Sequence, residues 1–466
     1  MAKTPVSAPP RGELLRALGV SHATAIVVGT IIGSGIFRVP GTMMLAVGSA
    51  KYVYLAWLVG GILSFFGALT FAELGAMRPQ SGGEYVYIRD AYGPLPGFLY
   101  CWSWFVVAKP ASIATVTTGL ADALSALPWF RFLADPIFTS PFPVMWSQLV
   151  AILAAVLISG LNYIGVKRAG TFQLVFTILK VAMLVGIAVV GFTYSAGTWA
   201  NFSTTSPARG GFAGFMVALV AALWAYDGWN DLNMVGEEVK DPGKSIPIAL
   251  ISGVAIVGVL YVLMNAAIQY VLPAIDIAKS KSPAASMMLV AVGAGGAAVI
   301  TAGIALSMLV TLNGTIMSGA RIPFAAARDG YFFKTLAHVH PRFHTPGAAI
   351  VVQLMLSVAL LLTPARFVAF LGLAIFAEWL FYMISTSTVF VFRKKEPDAP
   401  RPYKTWGYPV VPALFIAAAA VLLVYTFAEN LREEPVLTWV SVAFLAAGVP
   451  AFYYFAAKRK AGGSPA

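Results

Sequence analysis

Long apolar stretches separated by short polar connections recur from residue 20 to residue 457. They predict twelve helical spans, approximately 20–47, 53–77, 96–124, 144–165, 170–194, 212–238, 246–272, 290–320, 347–364, 366–392, 409–428 and 436–457. A helix of about 20 apolar residues crosses the hydrocarbon core of a bilayer. Two of the spans are interrupted near their middles. In span 1 the interruption is Gly29-Thr30-Ile31-Ile32-Gly33-Ser34-Gly35-Ile36-Phe37. Glycine loses the most backbone entropy on ordering, so three within seven residues weaken a helix. Two readings of this stretch stand side by side. In one, Gly29-x-x-x-Gly33 is a close-packing helix face. In the other, the chain unwinds at a buried site, and the N–H groups of Ser34 and Gly35 open a half-helix whose dipole favours an anion.

Span 6 carries the second interruption, Leu223-Trp224-Ala225-Tyr226-Asp227-Gly228-Trp229-Asn230. Five spans separate the two, so they lie in segments of opposite direction. Paired breaks in corresponding spans point to a midplane binding site in an inverted-repeat transporter. The repeats are then residues 20–194 (spans 1–5) and 212–392 (spans 6–10). Spans 11 and 12 (409–457) are appended, with an N-terminal segment 1–19 and a tail 458–466.

Composition agrees with this pattern. The 466 residues are 59% hydrophobic and 11% charged, with a mean hydropathy of +0.81, which makes an all-α polytopic membrane protein. The start of the chain lacks a signal-peptide pattern, so the first span is retained. The net charge of +12 raises the question of nucleic acid. With an inside N-terminus, however, most Lys and Arg fall on the cytoplasmic side, including Lys167-Arg168, Arg393-Lys394-Lys395 and Lys458-Arg459-Lys460. That is the positive-inside rule of a multi-pass protein in the cell (inner) membrane, with both termini cytoplasmic and no nucleic-acid partner. The single cysteine, Cys101, excludes an internal disulfide and leaves no thiol in an external loop. Zincin, dinucleotide and phosphate-loop signatures are all missing, so no enzyme, cofactor or metal site is expected.

Several motifs together resemble the amino acid–polyamine–organocation transporters, and within them bacterial relatives of the L-type amino-acid exchangers. They are Gly33-Ser34-Gly35-Ile36-Phe37, Ser81-Gly82-Gly83-Glu84-Tyr85, Ala225-Tyr226-Asp227-Gly228-Trp229-Asn230, Gly236-Glu237-Glu238-Val239-Lys240-Asp241-Pro242 and Arg401-Pro402-Tyr403-Lys404. The resemblance implies the LeuT fold, a 5+5 inverted repeat with broken helices 1 and 6, and alternating access around an amino-acid site. By the same resemblance Ile31 offers a carbonyl to the substrate ammonium, while Ser34 and Gly35 hold its carboxylate. Trp224 is an aromatic gate, and Ala225 and Asp227 offer carbonyls. Animal members have glycine where Asp227 stands. Its side chain either binds a cation or caps the second half of span 6, and the helix-start pattern favours the cap. Asn230 is a weaker substrate contact. Animal L-type members pair with a glycoprotein through an external cysteine; this chain, lacking one, is expected to work without that disulfide-linked subunit.

Ionisable groups within spans are functional candidates because an unpaired buried charge is costly. Lys180 is flanked by Phe172 to Leu179 and by Val181 to Val190, too far from either interface to snorkel. The resemblance places such a lysine beside the span-1 break, where sodium-coupled relatives bind a cation. There it would donate to span-1 carbonyls and to a span-8 hydroxyl, Ser307 or Thr311. Glu378, in mid-span 10, is read as a proton site, a gate residue or a partner for another span. Glu73 is expected to cap or pair locally. Lys109-Pro110 resembles the Arg-Pro of L-type members, with its role open. His338, His340 and His344 stand among basic residues without cysteine, which reads as a solvated loop rather than a metal site. The expectation is a sodium-independent exchanger of amino acids. The absence of acids lining the breaks, other than Asp227, favours neutral substrates. A proton-coupled symporter is the alternative, and a non-transporting sensor is a further one.

Overall fold

The computed structural model describes residues 13–138, 144–362 and 367–461, excluding the side chains of 367–376. Parts of the expected terminal segments 1–19 and 458–466 therefore lie outside the described residues. In chain order the helices are α1 (Val20–Ile31), α2 (Gly35–Val47), α3 (Ala50–Met77), α4 (Glu84–Tyr92), α5 (Pro94–Ser103), α6 (Lys109–Ser125), α7 (Trp146–Tyr163) and α8 (Val166–Thr193). There follow α9 (Gly211–Tyr226), α10 (Asp231–Met234), α11 (Pro242–Val271), α12 (Ala274–Lys279), α13 (Pro283–Val292) and α14 (Ala294–Gly319). The last are α15 (Arg321–Arg328), α16 (Gly347–Leu361), α17 (Phe367–Lys395), α18 (Val410–Glu433) and α19 (Pro435–Ala461). The only sheet among the described residues is a hairpin pairing Pro136–Phe138 with Val144–Met145.

Nine helices among the described residues are long and apolar enough to cross a membrane: residues 20–47, 50–77, 146–163, 166–193, 211–234, 242–271, 294–328, 410–433 and 435–461. The other three expected spans coincide with helical stretches. Residues 94–125 are helical throughout but pass through a π-helical turn, Trp104–Ala108. α16 is shorter, and the start of α17 carries undescribed side chains. The expected start of span 8 at residue 290 is corrected: Gly293 separates α13 from α14.

These helices are apolar on every side, as segments facing lipid on one side and protein on the other must be. Leu58, Val189, Val259 and Val424 remain exposed on the outside of the bundle. Inward faces use small residues, which let backbones approach closely. At Gly253 of α11 a Cβ would stand 2.5 Å from Val27 of α1, so only glycine fits. α1 is thereby enclosed by α8, α11 and α14, while α2 lies against α9 and α12. The two expected breaks thus meet inside the bundle.

Candidate functional site

The first break is short. Ile32 leaves the helical region (φ −74°, ψ 86°), the Gly33 N–H turns back to the Ile31 carbonyl at 2.8 Å, and α2 begins at Gly35. Ser34 and Gly35 line a cavity at the first turn of α2, where helical N–H groups have no intrahelical acceptor. Gly35 also serves the packing of the two broken helices. A Cβ there would lie 3.0 Å from Ala225 Cβ and 3.1 Å from Ala225 Cα, so glycine lets α2 and α9 touch.

The carbonyls released by this break converge on one cation and two hydroxyls. Lys180 Nζ, on fully buried α8 surface, donates to Gly29 O at 2.9 Å and Ile32 O at 2.5 Å. Ser307 Oγ donates to Ile32 O at 2.9 Å and Gly33 O at 3.3 Å. Thr311 Oγ1 reaches Gly29 O and Ile32 O, each at 3.3 Å. The hydroxyls were expected to accept from Lys180; the lysine instead donates to the carbonyls, and Ile32 O, within reach of all three groups, takes two donors at a time while Gly29 O and Gly33 O take the others.

The second break spans residues 227–230. α9 ends at Tyr226, and Gly228 adopts φ +103° with Thr30 so close that a Cβ would stand 2.9 Å from its Cγ2. L-residues rarely adopt that φ, so glycine is required on both grounds. The helix-start reading of Asp227 is overturned. Asn230, not Asp227, precedes α10, and no side chain caps it. The Asp227 carboxylate instead accepts from Tyr382 Oη at 2.7 Å. That hydroxyl also lies 3.0 Å from Asn230 Oδ1 and 3.3 Å from Glu378 Oε1. A second tyrosine, Tyr261 of α11, bridges the breaks: its hydroxyl is 3.1 Å from Ile31 O and 2.9 Å from Ala225 O. Its one proton serves one of these carbonyls at a time, and the Ile31 carbonyl expected to face an ammonium also takes the Gly33 N–H.

Between the breaks lies a cavity of about 140 Å³. Ile31, Ser34, Gly35, Trp224, Ala225, Asp227, Asn230, Thr311 and Glu378 all line it, while Lys180 and Ser307 stand behind the α1 break. Trp224, 41% exposed, is at its mouth. Trp104, Val116 and Met308 supply apolar wall. The acid count at this cavity corrects the earlier premise, because Asp231 and Glu378 join Asp227 there. Lys109 answers one of them: its Nζ is 2.5 Å from Asp231 Oδ1, and both side chains are buried. The π-helical turn just before Lys109 adds a residue to the helix and sets its bearing, a device frequent at functional sites.

Asp231, Glu84, Tyr261 and Tyr382 were not singled out from the sequence. Asp231 satisfied the rule applied to Lys180, an ionisable group within an apolar span. Glu84 stood inside Ser81-Gly82-Gly83-Glu84-Tyr85; it is fully buried and accepts from Asn230 Nδ2 at 2.9 Å. Glu73 does not pair locally. It binds Arg393 at 2.7 Å and the Thr405 N–H at 2.7 Å, far along the chain. Of the three histidines, His340 stacks on Phe343 and takes the N–H groups of Arg342 and Phe343 on Nδ1.

Two interrupted helices meeting at a small cavity make a place to hold a solute. Comparison with known proteins agrees. Residues 18–454 match the amino acid permease family. The chain is 33% identical over 457 residues to the serine/threonine exchanger SteT of Bacillus subtilis, covering 96% of this chain and 98% of the relative. It is 30% identical to the human b(0,+)-type amino acid transporter 1 (96% and 89% covered) and 31% identical to the human cystine/glutamate transporter (95% and 86%). The chain therefore belongs to the amino acid permease family of the amino acid–polyamine–organocation superfamily, and is a multi-pass membrane transporter of amino acids rather than an enzyme.

Proposed function

We propose that this chain is a sodium-independent exchanger of neutral amino acids, working by alternating access. The observation that carries this reading is the Lys180 ammonium against the carbonyls of Gly29 and Ile32, which gives the first break a built-in cation. A substrate carboxylate fits the start of α2 at Ser34 and Gly35, its ammonium the Asp227 side of the cavity, and an uncharged side chain the wall of Trp104, Val116 and Met308. Trp224 then closes over it, and Lys180, Ser307 and Thr311 hold α1 to α8 and α14. The serine/threonine relative of Bacillus subtilis is an exchanger. The arrangement carrying this function is twelve spans in the LeuT fold, with inverted repeats at 20–194 and 212–392, spans 11 and 12 at 409–457, and both ends cytoplasmic in the cell membrane. Cys101 is buried, which supports function without a disulfide-linked subunit.

Counterflow in proteoliposomes tests this: labelled amino acid outside, a panel of unlabelled amino acids inside, with and without sodium. Uptake driven by internal neutral amino acids and indifferent to sodium is expected; a sodium requirement would sink the reading. One observation favours a second reading, a proton-coupled symporter: the Asp227 and Glu378 carboxylates share the hydroxyl of Tyr382. Uptake driven by a pH gradient without internal substrate would select it.

A further inference from the structure

Glu84 is the first residue of α4, in the connection between α3 and α5, and lies at the end of the bundle rich in arginine. That end is closed here. Arg321 and Glu238 form a fully buried pair at 2.9 Å, Arg78 binds Glu396 at 2.7 Å, and Arg89 binds Asp329. The loop bearing Glu84 is clamped to α10, the short helix after the second break: Gly82 N–H donates to Met234 O at 2.9 Å, and a Cβ on Gly83 (φ +48°) would stand 2.8 Å from Asn233 backbone. Opening this end must part these surfaces and let water reach Glu84.

Within the closed end one oxygen of Glu84 is satisfied, Oε1 by Asn230 Nδ2 at 2.9 Å. The other, Oε2, is buried and makes no hydrogen bond of good geometry; the Tyr100 hydroxyl, likewise without one, stands close enough to the carboxyl to favour its ionised form. A buried carboxylate oxygen left unpaired is costly in the ionised form and much less so once protonated. Asn230 Oδ1 in turn lies 3.0 Å from the Tyr382 hydroxyl, whose one proton is shared among it, Asp227 and Glu378 at the cavity.

We propose that Glu84 is a proton-binding site of the transport cycle: it holds a proton while the arginine-rich end is closed, and Asn230 passes its charge state to the amino-acid cavity. This rests on the alternating-access reading above. The proton arrives from water through the cavity, sits on Oε2, and leaves to water when the clamp opens. Several charged and titratable groups face Glu84: Tyr100 from α5, Lys109 from α6, Asp231 from α10, Glu378 and Tyr382 from α17, and Tyr87 on its own helix. Arg321, from the neighbouring α15, is bound to Glu238. Burial pushes the Glu84 carboxyl up to about 7 from an ordinary value near 4.5, against Tyr100, Asn230 and Lys109, which favour the ionised form. Between those values the closed end binds a proton that the opened end lacks. Acid therefore favours the closed form, increasingly as pH falls from about 7 and up to about tenfold per pH unit. The gain levels off below about 4.5.

The test is pH-difference infrared spectroscopy of the full-length protein in lipid, which needs no substrate and so stands or falls apart from the exchange assay. A protonated-carboxyl band titrating near neutral pH is expected, lost in Glu84→Gln and retained in Glu378→Gln. A band that survives Glu84→Gln, or carboxyls that all titrate in the ordinary range, overturns the proposal. Should Glu84→Gln not fold, Asn230→Ala serves. Removing the donor to the ionised form must move the band's midpoint to higher pH; an unmoved midpoint overturns the proposal equally.

Discussion

The ammonium of Lys180 lies 2.5 Å from the carbonyl oxygen of Ile32, the residue at which α1 comes undone. A hydrogen bond from a charged donor contributes about 1.5–3 kcal/mol. In Lys180→Ala, Ser307 and Thr311 still donate to the same carbonyls, so the break survives while its tie to α8 is lost. Exchange is expected to slow by about 10- to 100-fold, with substrate affinity changed far less. Binding by calorimetry beside transport in proteoliposomes separates the two; a pure loss of affinity would place Lys180 in the substrate site instead.

Gly35→Val brings a branched side chain against Ala225, where even a Cβ is at 3.0 Å. The two broken helices are forced apart at the cavity, so substrate binding is lost although the bundle still folds in detergent. Undiminished uptake by this variant would remove the site from the first break.

Trp224 stands at the mouth of the cavity with 41% of its surface exposed. Its large exposed face is what a cover needs before it closes. Trp224→Ala is expected to weaken substrate affinity or to raise uncoupled efflux of preloaded substrate. A variant matching the parent in both measurements denies it a gating role.

Lys109 and Asp231 form a buried pair across α6 and α10. Removing one partner leaves an uncompensated charge, which costs about 3–5 kcal/mol. Lys109→Met and Asp231→Asn should each lower the unfolding temperature sharply, while the double variant recovers much of the loss. Thermal unfolding of all four proteins closes the cycle. Losses that simply add would mean the pair is not coupled.

Part of this site was readable from residue types alone. Lys180 is legible because a lysine with apolar residues on both sides has nowhere to go but inward. The glycine run at 29–35 and the polar break at 227–230 are legible because a helix in lipid cannot unwind without a reason. Asp227 was misread because the helix-start pattern is local, whereas its actual partner, Tyr382, is 155 positions away. Glu73 failed in the same way, its arginine lying on the far end of α17. Tyr261 and Tyr382 carry no signal of their own, since a tyrosine in an apolar span is commonplace until its hydroxyl is seen to bridge two breaks, as in Tyr261, or to join the second break to Glu378, as in Tyr382.

What the sequence alone determined is the medium and the places where helices fail. Apolar length and charge placement depend only on the bilayer as solvent, and weak helix propensity is a property of neighbouring residues. Tertiary structure decided everything that turns on which surfaces meet. It put three carboxylates around one cavity with a single lysine among them, turned Lys109 toward Asp231, and left one oxygen of the buried Glu84 without a well-formed hydrogen bond. Those relations join residues up to hundreds of positions apart. Side chains on helices that are apolar all round give no periodicity to say which face points inward.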